Sequence, residues 1–184
     1  MGAANQLSKS LRLVRSGEDG QPLPCDFDEL FTRYAPYVAQ VAYRILGSRI
    51  DVEDVVQEVF IDAERGLNTL RESGAVKGWL ATITIRHAKR LIKKQRLRRW
   101  FGWDCGTDFD AVADAGASPE QRATVAAVYR LLDTFSADER IAWTLKYVQG
   151  EKVSHIAQIC GCSRATAHRR IAAVQSAMTE VMDD

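Results

Sequence analysis

Cys160-Gly161-Cys162-Ser163-Arg164-Ala165-Thr166-Ala167-His168-Arg169-Arg170 is the stretch whose reading decides the fold. Before it, Val153 to Ile159 has a short helical pattern with small Ala157 near its middle. Gly161 allows a sharp turn, because left-handed backbone costs glycine nothing. Ser163 suits the N-cap of a following helix. That helix carries apolar residues at 167, 171, 174, 178 and 181, which predicts one buried stripe. Its other face offers Arg164, His168, Arg169 and Ala172. A short helix, a glycine turn and a second helix with basic first turns predict a helix-turn-helix. The second helix of such a unit fits the DNA major groove, with its N-terminal residues at the base edges. An αα-hairpin that only packs is the plainer alternative on this stretch alone.

Working outward, charge is segregated. The net charge of +1 over 184 residues argues against nucleic acid if taken alone. Residues 26–100, however, hold 14 basic and 10 acidic side chains, and residues 101–124 hold one basic and five acidic. Segregated charge makes local fields that a total conceals. The extreme case is 77–100, with nine Lys or Arg and no acid. Neutralising phosphates with such a run releases counterions and drives binding.

This basic run belongs to a helix read from Trp79 to about Trp100. Its inner face is Trp79, Leu80, Ile83, Leu91 and His87; its outer face is Arg86, Lys89, Arg90, Lys93 and Arg96. Trp100, Phe101 and Trp103 read as residues that close the helix end. Trp79 divides evenly between core packing and stacking on a base. Before it, Leu67 to Gly78 reads as a loop with two glycines.

Two helices precede that loop. Asp26 or Asp28 caps the first, where Leu30, Tyr34, Val38, Val41 and Ile45 recur at helical spacing. Pro36 predicts a kink or break there, and Gly47-Ser48 the end. Asp51 starts the second, to about residue 67, with Val52, Val55, Val56, Val59, Phe60 and Ala63 inward. Asp51, Asp54, Glu58 and Asp62, with Gln57 beside them, make an acidic stripe. On spacing alone the stripe is either a solvated face or a docking surface for a basic partner.

Residues 1–25 read as a mobile tail, interrupted by Gly17, Gly20, Pro22 and Pro24. Residues 101–120 read as an acidic, flexible linker. After it, Ser118-Pro119 opens a helix to about Leu132, and Ser136-Ala137-Asp138-Glu139 has the form of a capping box. The fold class is therefore all-α: two small helical domains, 26–100 and 121–184, joined by a linker, the second containing the helix-turn-helix.

Some chemistry is not expected. The sequence has no phosphate-binding glycine loop, dinucleotide pattern or nucleophile elbow. Cys160-Gly161-Cys162 lacks the usual zinc spacing, so no metal, no cofactor and no enzymatic activity are expected. Cys25, Cys105, Cys160 and Cys162 read as reduced thiols, and no segment has the length of a membrane span. A cytoplasmic protein without membrane insertion is the expectation.

The two halves together resemble one family, the extracytoplasmic-function (ECF) type of RNA polymerase sigma factor. Asp51-Val52-Glu53-Asp54-Val55-Val56-Gln57-Glu58-Val59-Phe60 is similar to the family's D-x-E-D-x-x-Q-E-x-F. Gly78-Trp79-Leu80 before a basic helix resembles its next element. Phe27 to Arg99 is thus similar to sigma domain 2, and Leu131 to about Met178 to sigma domain 4. The resemblance implies core RNA polymerase, promoter DNA and an anti-sigma factor as partners. It implies polymerase docking by Asp51, Asp54, Gln57 and Glu58. It implies −10 contacts from Asn68, Lys77, Trp79, Arg86, Arg90, Lys93 and Lys94. It implies −35 contacts from Ser163, Arg164, Thr166, His168, Arg169 and Arg170. The chain departs from the family at Arg86, where Asn is common, and at His168, where Lys or Arg is common. A stand-alone helix-turn-helix regulator and a helical scaffold without a DNA role are the rival readings.

Overall fold

A computed structural model describes residues 26–67, 76–103, 109 and 117–183. Among them lie seven helices and no strand: α1 (Phe27–Leu46), α2 (Val52–Gly66), α3 (Val76–Trp100), α4 (Pro119–Thr134), α5 (Ala137–Tyr147), α6 (Val153–Ile159) and α7 (Arg164–Asp183). The all-helical fold class is as read. The tail 1–25, Asn68 and most of 101–120 lie outside the described residues.

Local chemistry sets the ends. Asp26 caps α1 by accepting from the Glu29 N–H at 2.8 Å, and Asp28 and Glu29 complement the helix dipole. Gly47 ends α1 with a left-handed φ of 65°. Its Cα lies against the Tyr129 ring, so that a Cβ there would sit 2.2 Å from a ring carbon. Full capping boxes start α4 (Ser118 with Gln121) and α5 (Ser136 with Glu139).

Three expectations are corrected. Pro36 does not break α1; the helix runs uninterrupted to Leu46. Pro36 and Thr32, whose carbonyl loses its donor, are both exposed, so water can satisfy that carbonyl. The loop expected through Gly78 is already helical from Val76, because Val76 is fully buried and pins the first turn of α3. The stripe on α7 stops at Met178; Val181 is 60% exposed, beyond the core it was expected to join.

The apolar faces of α1, α2 and α3 close on Leu30, Val38, Ile45, Val59, Phe60 and Leu80. Burying each such side chain contributes roughly 1.5–3 kcal/mol. Ile141, Leu145, Ile156 and Ala167 from α5, α6 and α7 join the same cluster. The two halves therefore share a core. A second cluster gathers Val125, Tyr129, Leu132, Trp143, Val174 and Met178 around Phe109. Phe109 falls inside the span read as linker, yet it is buried and stacked on Tyr129 at 5.9 Å.

The seam between the halves is polar where it meets the end of α1. Arg140, only 2% exposed, donates from Nε to the Ile45 carbonyl (3.1 Å) and from Nη2 to the Leu46 carbonyl (2.5 Å). Its Nη1 donates to Asp133 at 2.9 Å. A cation from α5 thus caps the C-terminus of α1, where orphan carbonyls need donors and the dipole favours positive charge. Tyr129 Oη donates to the Arg44 carbonyl at 2.6 Å beside it. Burial pushes the Arg140 guanidinium down to about 10 and raises the Tyr129 hydroxyl.

Candidate functional site

On α2 the acidic stripe separates into ends and a middle. Asp51, half-buried, accepts from Gln95 Nε2 of α3 at 2.7 Å. Asp62 accepts from His87 Nε2 at 2.8 Å, and that hydrogen bond holds its carboxyl below the usual range. Asp54, Gln57 and Glu58, between them, are exposed. The stripe is stapled to α3 at both ends and free only in its central turns.

α3 sorts its cations by face in a similar way. Arg86, Arg90, Lys93 and Lys94 are exposed and form no ion pair with any described residue. They recur at helical spacing on one side of the helix. Together with Asp54, Gln57 and Glu58, Arg90 and Lys94 line a groove of 340 Å³ between α2 and α3. Lys89, Arg96 and Arg99 turn the other way. Lys89 pairs with Asp138 at 2.6 Å, Arg96 reaches the Phe135 carbonyl at 3.3 Å, and Arg99 pairs with Asp133. Lys89 and Arg96, expected on one outer face with Arg86 and Arg90, instead meet the C-terminal half.

Lys77 is half-buried, with its ammonium 5.9 Å from the Tyr37 ring centroid. Trp79 is half-buried against Gly66, where a Cβ would come within 2.8 Å of the indole. That contact favours packing over base stacking at Trp79. His87 is buried on the side of α3 that faces α2, as a packed residue. Beyond α3, the Gly102 and Trp103 N–H groups bond back to the Arg99 and Arg98 carbonyls, so the backbone closes the helix. The rings of Trp100 (86% exposed), Phe101 and Trp103 do not; they stand in solvent.

The expected helix-turn-helix is α6, a turn at Cys160–Cys162, and α7. Gly161 has φ 61°, and the Cys162 N–H bonds the Ala157 carbonyl at 2.9 Å. Ser163 Oγ caps α7 by accepting from the Thr166 N–H at 3.1 Å, and it also bonds the Thr166 hydroxyl. Ser163 and Thr166 therefore form the start of the helix. Arg164, His168 and Arg169 are exposed on its outer face. Arg170 is half-buried and points to Asp138, 3.5 Å away. Cys160 and Cys162 pack beside the main core as free thiols. Burial pushes the Cys160 thiol up to about 11. Among the described residues no group of three His, Cys, Asp or Glu side chains could hold a metal, and no helix is long and apolar enough to cross a membrane.

The residues that join the halves, Arg44, Tyr129, Asp133, Asp138 and Arg140, are not marked by their spacing in the sequence. One signal was present. Arg140 interrupts the apolar face formed by Ala137, Ile141 and Leu145, and a charge there needs a partner from another element.

Comparison with known proteins adds five findings. The Sigma-70 region 2 family matches residues 30–98. Among curated proteins, the chain is 32% identical over 159 residues to the ECF RNA polymerase sigma-E factor of Escherichia coli, covering 79% of this chain and 80% of that one. It is 28% identical over 149 residues to an ECF RNA polymerase sigma factor of Mycolicibacterium smegmatis, covering 79% of this chain and 57% of that one. The fold is similar to a sigma factor solved with the anti-sigma factor NepR from Bartonella quintana. There the TM-score is 0.64 at 22% identity, over 86% of this chain and 97% of that one. It is also similar to CnrH solved with the cytosolic domain of CnrY. There the TM-score is 0.56 at 20% identity, over 98% and 94% of the two chains.

Proposed function

We propose, because this chain belongs to the ECF family of RNA polymerase sigma factors, a division of labour among its charged faces. The protein is an alternative sigma factor acting in transcription initiation; a stand-alone regulator is not favoured. Asp54, Gln57 and Glu58 dock on core RNA polymerase, with Asp51 holding the start of α2 against α3. Arg86, Arg90, Lys93 and Lys94 hold the −10 region of promoter DNA. Arg164, His168 and Arg169 face the −35 region, with Ser163 and Thr166 fixing the helix start.

The observation that carries this reading is the sorting on α2 and α3. An exposed acidic face and an exposed basic face lie on either side of one groove, on helices fixed to each other by Gln95–Asp51 and His87–Asp62. Such a body can hold a basic protein surface and a phosphate backbone at once. Asp54→Arg places a cation at the centre of the docking face and is expected to abolish capture of core polymerase. Wild-type capture by that variant would overturn the assignment. Lys77 and Trp79 support the α3 start from behind, through Tyr37 and Gly66. The division into an N-terminal unit (26–100) and a C-terminal unit (121–184) follows these roles.

An anti-sigma factor is the third partner in this reading. The Bartonella quintana relative was solved with one, and a face that binds polymerase is a natural target for competition. Catalysis has no part in it; the work is recognition and positioning.

A further inference from the structure

The exposed face of α3 changes character along its length. Arg86, Arg90, Lys93, Leu97 and Trp100 recur at spacings of 4, 3, 4 and 3, which places them on one side of the helix. All five are exposed. The first three are cations; Leu97 and Trp100 carry the same stripe on as apolar surface. Trp100 lies fourteen residues (100 minus 86) beyond Arg86, about 21 Å along the axis. Just past it, Phe101 and Trp103 are 58% and 75% exposed, with ring centroids 5.6 Å apart and planes at 31°. The backbone beneath the rings is ordered. The Phe101 N–H donates to the Leu97 carbonyl and the Trp103 N–H to the Arg98 carbonyl, and Gly102 makes the turn with a φ of 72°. That left-handed turn brings Trp103 back beside Phe101. Three large rings kept in water on an ordered turn add nothing to the core and mark a contact surface.

We infer that Trp100, Phe101 and Trp103 are a stacking site for unpaired DNA bases, set at the end of a cationic stripe that holds the same strand by its phosphates. The inference rests on reading α3 as a promoter-facing helix and adds to that reading a grip on the bases themselves. Charge decides which partner suits this face. Residues 77–100 contain no acid, and Arg98, two residues before Trp100, is exposed as well. A purely apolar surface would cover the rings and leave the cations unpaired. A single strand matches both, because every nucleotide offers an anionic phosphate and a π-face. A duplex matches the cations alone, because its bases stack on one another and present only their edges in the grooves. The Phe101 and Trp103 rings already contact each other, so a base stacks on an outer face and does not slot between them.

The test is binding of the full chain at low salt, followed by fluorescence anisotropy, to three probes of equal length. These are an oligothymidylate, the same strand with abasic residues in place of every thymidine, and a random-sequence duplex. The wild-type chain is expected to prefer the oligothymidylate, which should also quench its indole emission where the abasic strand does not. Trp100→Ala with Trp103→Ala is expected to weaken oligothymidylate binding about 10–50-fold, since each ring removed gives up a stacked base. Binding of the abasic strand and of the duplex should stay within about 2-fold, because the phosphate contacts remain. Trp100→Phe with Trp103→Phe keeps the ring faces and should recover most of the loss. Should the double alanine variant not fold, as checked by circular dichroism, Trp100→Ala alone gives the same readout. No preference of the wild-type chain for the oligothymidylate over the abasic strand, or an equal loss on all three probes, would overturn the inference. Loss of core polymerase capture by the alanine variant, with oligothymidylate binding intact, would also overturn it and assign the rings to a protein contact. Capture by the wild-type chain in parallel separates the two failures. Capture with no loss of oligothymidylate binding in the variant discards the stacking site alone; no capture discards the sigma-factor reading beneath it.

Discussion

Lys89 and Arg90 are neighbours on α3, equal in charge and alike in length, yet the fold treats them in opposite ways. Lys89 faces the C-terminal half and pairs with Asp138; Arg90 faces solvent beside the acidic face of α2. The same division repeats along the helix: Arg96 and Arg99 are engaged, while Arg86, Lys93 and Lys94 are not. What separates them is the roughly 100° of rotation between successive residues and the position of α5 against one side. Seven of the nine positive charges on this helix therefore divide into two sets, four left to solvent and three taken up by the chain itself.

The comparison can be broken most forcefully at its most buried member. Arg140→Met leaves the Ile45 and Leu46 carbonyls without donors and Asp133 with one partner fewer. The expected loss of stability is about 3 kcal/mol, read as a shift of the urea midpoint. Arg140→Lys should recover only part of it, because an ammonium cannot match the guanidinium fork.

Gly47→Ala tests the apolar side of the same seam. The new Cβ would meet the Tyr129 ring, and the left-handed φ adds strain, so a loss of roughly 2–3 kcal/mol is expected in the same assay. The exposed set should behave differently. Lys93→Ala with Lys94→Ala should leave stability within about 0.5 kcal/mol. It should lower the salt slope of promoter binding by the polymerase complex by about 2. A large stability loss there would mean that the two faces are not distinct.

The smallest effect is at Cys160. Its thiol is raised from 9.0 to about 11 by burial, so the folded chain holds that proton more tightly than the unfolded one. Its contribution is fully present below pH 9 and is lost as pH rises from there toward 11. Cys160→Ala should flatten that part of the stability–pH profile, and the wild-type thiol should react slowly with alkylating reagents at pH 8.

Much of the fold was legible because the signals were local. Ser118 with Gln121 and Ser136 with Glu139 sit within four residues of each other, and Gly47 and Gly161 mark turns by their own conformational freedom. The acidic motif on α2 was legible as a pattern, but not the fact that Asp51 and Asp62 are tied down while Asp54 and Glu58 are free. That depends on Gln95 and His87, which only tertiary packing brings near. The break that Pro36 suggested does not occur, because proline's cost depends on whether solvent or core receives the orphan carbonyl. The seam was the least legible part: Arg140 and Ile45 are 95 residues apart, and no spacing rule links them.

Phe109 has one more consequence, for reach. From Trp103 to Ala117 the chain takes fourteen steps (117 minus 103), a maximum extension of about 50 Å. While the Phe109 ring stays lodged against Tyr129, only the six steps from Trp103 to Phe109 bridge the N-terminal half to that anchor, about 20 Å at most. Withdrawing one aromatic ring would more than double the leash on which α3 and α7 can part.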